Sequence, residues 1–198
     1  MPTLELTSLS LLPPTTATTP TLLPVLRTVR TALQTNSHFY TCLDDPSKLY
    51  ILGHWASLSA HQDFLSSSSA ASILEPQEDL LEFNWGIHIP LSPSAQLPLS
   101  APVIALTRLF IQPARVAEFV AKLPHVVDVL AAASRYPVLA AWREDAEEGR
   151  PECVVISGWE SPEGHTEFTV RAIGEDVEYA SVQKCLTGLE VRHLRDLE

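Results

Sequence analysis

The sequence is short of basic residues. Thirteen Lys and Arg stand against 24 Asp and Glu in 198 residues, a formal net charge of −11. Such a chain carries no electrostatic footprint for a phosphate backbone or an anionic lipid surface, so neither nucleic acid nor a membrane is expected as a partner. Long apolar runs are missing as well. The uncharged residues 7–26 are broken by Pro13, Pro14, Pro20 and Pro24, and nothing approaches the roughly 20 apolar residues of a spanning helix. No basic segment leads into an apolar stretch near the first residue, so no secretory signal is expected and a cytoplasmic location is. Cysteine is scarce: Cys42, Cys153 and Cys185 are odd in number and widely spaced, which suits buried reduced thiols better than a disulfide framework or a zinc site. Glycine-rich phosphate loops, dinucleotide fingerprints, Gly-x-Ser-x-Gly elbows and His-Glu-x-x-His motifs are absent. The seven histidines are scattered, so neither a metal nor another cofactor is expected. What is present is core material. Hydrophobic residues make up 45% and charged residues 19%, enough for one or two folded domains.

Those domains repeat. Shifting the chain by 104 residues lays Trp55 on Trp159, Ser57 on Ser161, His61 on His165 and Phe64 on Phe168, with apolar Ile51 and Leu52 over Val155 and Ile156. The surroundings match. Residues 4–12 and 102–112 read as strands rich in Leu, Ile, Val and Thr. Each leads to a helix: residues 21–35 place Leu22, Leu26, Val29 and Leu33 at helical spacing, and residues 114–135 do so with Val116, Phe119, Val120, Leu123, Val127 and Leu130. Pro124 is expected to kink or interrupt the second, because it removes a backbone donor. Strand pairs follow, 38–43 with 48–55 and 137–143 with 152–159. Ser57 and Ser161 then stand where helix N-caps belong. A last strand closes each copy, residues 80–91 and 188–194, so each unit reads β-α-β-β-α-β. The proline-rich residues 92–101 form the linker between domains 1–91 and 102–198. Residues 1–98 hold only 3 of the basic and 8 of the acidic side chains. The halves have therefore diverged, and one is expected to keep a cavity that the other has lost or reshaped.

The motifs Trp55-Ala56-Ser57-Leu58-Ser59-Ala60-His61 and Trp159-Glu160-Ser161-Pro162-Glu163-Gly164-His165 resemble the antibiotic-biosynthesis-monooxygenase-like proteins of the dimeric α/β-barrel superfamily. The resemblance implies an α+β chain of two ferredoxin-like repeats forming a pseudo-dimeric α/β barrel, as a monomer with pseudo-two-fold symmetry or as a homodimer. Members of the superfamily include cofactor-free oxygenases, polyketide cyclases, isomerases and haem-degrading proteins. Those that oxidise anthrone-type phenols carry an Asn four residues before the Trp, where this chain has Ile51 and Val155. An alkyl group cannot make the amide's hydrogen bond.

Strand alternation sorts candidate residues by face. Tyr50, Leu52 and His54 share one side of their strand, and Ile51, Gly53 and Trp55 the other. His54 has the chemistry of a proton shuttle at neutral pH, or it is a structural histidine bonded to a Tyr or a carbonyl. In residues 80–91, Leu81, Phe83, Trp85, Ile87 and Ile89 fall on one side and Glu82, Asn84, Gly86 and His88 on the other. Inside a barrel, Asn84 and His88 would form a polar patch. Trp55 and Trp85 suit apolar cavity walls. The repeated His61 suits a packing or helix-start role and a place at the ligand. Arg108, in an otherwise apolar strand, either polarises a ligand carbonyl or pairs with an acidic neighbour. The expected function is cofactor-independent acid/base chemistry on an apolar, aromatic or polyketide-like small molecule, by cyclisation, dehydration or isomerisation. His54 and His88 are the candidate catalysts, and Trp55, Trp85, Asn84, Tyr50, Arg108 and His61 the candidate substrate contacts. The alternatives are a cofactor-free monooxygenase using dioxygen and a non-catalytic ligand-binding or stress protein.

Overall fold

The computed structural model describes residues 1–92 and 94–198; Pro93, in the expected linker, lies outside the described residues. The protein is α+β and divides into two compact units, residues 1–94 with 195–198 and residues 95–194. Among the described residues no helix is long and apolar enough to cross a membrane.

Unit 1 contains β1 (Thr3–Leu11), α1 (Leu22–Leu33), β2 (His38–Cys42), β3 (Lys48–Trp55), α2 (Leu58–Leu65), α3 (Ala70–Glu78) and β4 (Leu81–Pro90). Its strands lie in the order β4-β1-β3-β2, with β1 antiparallel to both β3 and β4. The central position of β1 follows from its sequence, since alternating Leu and small polar residues can be covered on both faces. α1 buries Leu22, Leu26 and Val29, spaced four and three apart on one helical face. Leu22 and Leu26 pack with Leu9, Leu11, Phe39, Leu49 and Leu81. Each such side chain contributes about 1.5–3 kcal/mol by leaving water.

Unit 2 repeats the plan with β5 (Val103–Ile111), α4 (Val116–Ala133), β6 (Val138–Trp142), β7 (Glu152–Trp159), α5 (Pro162–Glu175), α6 (Val177–Ser181) and β8 (Leu186–Asp196). The order is β8-β5-β7-β6. Its core gathers Phe119, Leu130, Trp159, Phe168 and Cys185. All three cysteines are buried, and burial pushes the Cys153 thiol up to about 12.

Ser57 and Ser161 cap α2 and α5, their hydroxyls accepting from Ala60 N at 3.1 Å and Gly164 N at 3.2 Å. Three expectations need correction. Of the two outcomes expected at Pro124, interruption does not occur, for α4 continues through it; the carbonyl four residues earlier belongs to Val120, which is half exposed, so water can take the place of the lost donor. Each repeat has a further helix before its last strand. The breaks fall at residues 66–69 and at Asp176, whose carboxylate caps α6 by accepting from Tyr179 N. Finally, among the described residues the strand pairing does not close on itself, so the closed barrel that the resemblance implied is not present.

Candidate active site

In unit 1 the helices and the sheet enclose a cavity of about 430 Å³. Its floor comes from four strands: Glu5, Thr7 and Leu9 of β1, Phe39 of β2, Ile51 and Trp55 of β3, and Phe83, Gly86 and His88 of β4. α1 supplies Leu26, Val29 and Arg30, α2 supplies His61 and Phe64, and α3 supplies Leu74 and Glu78. Phe83 remains 66% exposed at the rim.

One wall is polar. His61 Nδ1 and His88 Nε2 share a hydrogen bond of 2.7 Å, and both rings are buried. The Trp55 indole stacks on His61 with centroids 4.4 Å apart. Trp55 Nε1 donates to Glu5 Oε2 at 2.6 Å, and Thr7 Oγ1 donates to Glu5 Oε1 at 2.6 Å. Glu5 Oε2 also lies 3.7 Å from His61 Nε2. Register explains the grouping: Glu5 sits directly opposite His88 on β4 and Gly53 on β3, and the Ser57 cap starts α2 so that His61 comes down over Trp55. A carboxylate, two linked imidazoles and an apolar chamber can hold a donor-bearing molecule and move a proton at it. Among the described residues, no group of three or more His, Cys, Asp or Glu is placed to hold a metal ion.

The structure separates the other sequence candidates from this cavity. His54 lies on the opposite face of β3, its Nδ1 2.9 Å from Asn36 O, which is the carbonyl-bonded alternative. Tyr50 is on that face too, edge-on to Trp85 at 6.0 Å. Asn84 pairs with serines there, accepting from Ser10 Oγ at 2.9 Å and donating to Ser8 Oγ at 3.4 Å. Strict alternation had put Asn84 with His88 and Phe83 with Trp85. The β1–β4 register shifts between Ser8 and Leu9, and this irregularity reverses the faces. Residues 86 and 88 thereby join 81 and 83 at the cavity, while 84 and 85 do not. Arg108, in unit 2, is committed to carboxylates: its Nε donates to Glu152 Oε1 at 2.6 Å and its Nη1 to Glu190 Oε2 at 3.3 Å. Glu5 was missed because a carboxylate in an alternating strand reads as surface. A signal existed, since Glu5 is the only charged side chain in the first 26 residues.

Unit 2 has the same arrangement in smaller form. His165 Nδ1 and His193 Nε2 are 3.0 Å apart beside Trp159, and the equivalent cavity is about 110 Å³. Val191 stands opposite Thr107 where Gly86 stands opposite Thr7.

No protein-family model and no curated protein sequence matches the chain. Solved structures do. A protein of Fusobacterium nucleatum provisionally named a monooxygenase has a TM-score of 0.69 at 10% identity, over 100% of this chain and 93% of its own. An anthrone oxidase-like protein scores 0.68 at 13% identity, over 99% and 92%. A dye-decolorizing peroxidase of Bacteroides thetaiotaomicron scores 0.60 at 6% identity, over 98% and 93%. The chain therefore shares, over nearly its whole length, the doubled ferredoxin-like α+β fold of these proteins.

Proposed function

We propose that the protein is a cofactor-independent enzyme that moves a proton on an apolar, aromatic or polyketide-like small molecule held in the unit 1 cavity, assisting cyclisation, dehydration or isomerisation. The observation that carries this reading is the hydrogen-bonded His61–His88 pair buried in the wall of an apolar chamber. Imidazole titrates near neutral pH, and two imidazoles sharing a proton can take one up at one ring and release one at the other. Apolar walls keep water from competing for it. The names of the similar structures favour a second reading, a cofactor-free monooxygenase in which the carbanion left by the same proton abstraction reacts with dioxygen.

The test is to incubate the purified chain and its H88Q variant with anthrone, hydroxynaphthalenes and poly-β-keto mimics, following absorbance and dissolved oxygen together. Product formation without oxygen uptake, lost in H88Q, supports the first reading. Oxygen consumed in proportion to product supports the second. Binding with no turnover of any compound would leave a carrier and refute both.

A further inference from the structure

Each unit contains a Trp whose indole N–H needs an acceptor, and the two units supply it differently. Trp55 Nε1 donates to Glu5 Oε2 at 2.6 Å, and Trp159 Nε1 donates to Ser157 Oγ at 2.8 Å. Strand register makes the positions equivalent. Glu5 lies opposite Gly53, two pairs along from Thr3–Trp55; Ala105 lies opposite Ser157, two pairs along from Val103–Trp159. One unit thus has Glu and Gly where the other has Ala and Ser.

The exchange is coupled by space. A Cβ added at Gly53 would come within 3.3 Å of Glu5 Oε2 and 3.5 Å of Trp55 Nε1, so residue 53 stays bare to make room for the carboxylate. Unit 2 shows that a neutral hydroxyl satisfies the indole. A largely buried carboxylate, with a side chain only 18% exposed, costs more to hold than a hydroxyl does. Its charge therefore serves something other than the indole. Acceptor capacity remains on it, because a carboxylate has about four lone-pair sites and Trp55 and Thr7 use one on each oxygen. The other charged or titratable groups around the cavity are Arg30 of α1, Glu78 of α3, His61 of α2 and His88 of β4. Arg30 is held by Glu198 at 2.6 Å; His61 bonds His88 through Nδ1, and its Nε2 faces Glu5 Oε2 at 3.7 Å, beyond hydrogen-bond reach, so a lone pair on the carboxylate stays open to a ligand.

We propose that Glu5 selects the ligand: the unit 1 cavity takes a neutral aromatic molecule bearing a hydroxyl that donates to Glu5, and it rejects the O-methylated and carboxylated counterparts. The proposal rests on the cavity assigned above and names the ligand class it admits. A methyl ether presents an alkyl group to a carboxylate that then lacks its donor. A carboxylated ligand sets two anions together.

The test is calorimetric titration of the full chain with 2-naphthol, 2-methoxynaphthalene and 2-naphthoate, repeated on E5A/G53S. That variant gives unit 1 the Ala and Ser that unit 2 already accommodates. The wild type is expected to bind 2-naphthol at least about 10-fold more tightly than either counterpart, the scale of a hydrogen bond to a charged group. In E5A/G53S, 2-naphthol and 2-methoxynaphthalene should bind alike. Should that variant not fold, E5Q keeps an acceptor oxygen and removes the charge, and it should raise the relative affinity for 2-naphthoate. Equal binding of all three compounds by the wild type, a preference for 2-naphthol over 2-methoxynaphthalene that survives in E5A/G53S, an unraised relative affinity for 2-naphthoate in E5Q, or no binding of any compound would overturn the proposal. Selective binding without turnover would instead count against the chemistry proposed above and leave the role of Glu5 standing.

Discussion

Replacing Gly86 by Val should narrow the unit 1 cavity and leave the fold more stable. Gly86 faces Thr7 across the β1–β4 pair, and in unit 2 Val191 faces Thr107 at the same place. A Cβ at residue 86 would meet the Phe83 ring at 3.6 Å and Thr7 Oγ1 at 3.8 Å, ordinary contact distances that need no rearrangement. Three added carbons are worth about 2.4 kcal/mol when fully buried. The site is half-buried, so about 1 kcal/mol is realised by the same rule. Relieving a glycine inside a strand adds roughly 0.5 kcal/mol. The net expectation is a gain of about 1–2 kcal/mol, read from urea denaturation. Affinity for 2-naphthol should fall at the same time, as the chamber contracts toward the 110 Å³ of its counterpart. A lowered denaturation midpoint, or unchanged affinity, would refute the view that the bare residue 86 widens the unit 1 cavity.

Arg108→Ala should destabilise the protein by about 3 kcal/mol, the low end for breaking a buried pair, because Arg143 still reaches Glu152 at 3.1 Å; 2-naphthol affinity should not change, and a loss of affinity would return Arg108 to the ligand site. Ser161→Ala should cost about 1 kcal/mol through loss of the α5 cap, measured as a lower denaturation midpoint. The hydrogen bond from Arg30 holds the Glu198 carboxyl below its ordinary range. Its contribution to stability is therefore complete above the unfolded value of about 4.3 and disappears as pH falls through the lowered folded value. The stability difference between wild type and E198Q should accordingly shrink toward zero on acidification from pH 6 to pH 3, and a constant difference would show that the ion pair contributes nothing.

Local patterns were the legible part of the sequence. The match of Trp55, Ser57, His61 and Phe64 to Trp159, Ser161, His165 and Phe168 exposed the repeat, and both serines cap helices as the spacing indicated. Strict alternation failed in β4, where the register shift beside Ser8 and Leu9 reversed the faces and parted Asn84 from His88. Nothing in residues 80–91 marks that shift, because an irregular register is set by both strands together. Of the histidines singled out, His61 and His88 meet in the cavity and His54 does not, since it sits one residue from Trp55 and so on the other face. Glu5 became interpretable only through its neighbours, because an exposed and a cavity-facing carboxylate look alike in an alternating strand.

The last four residues give the molecule a sequential dependence. Residues 195–198 belong to unit 1: Leu197 N donates to Phe39 O at 2.9 Å, and Glu198 pairs with Arg27 and Arg30 on α1. Those contacts join positions up to 171 residues apart in the sequence. During synthesis, which proceeds from the N-terminus at about 5–20 residues per second, every other part of unit 1 leaves the ribosome long before the segment that completes it. These contacts of unit 1 therefore form only after residues 95–194 have been translated.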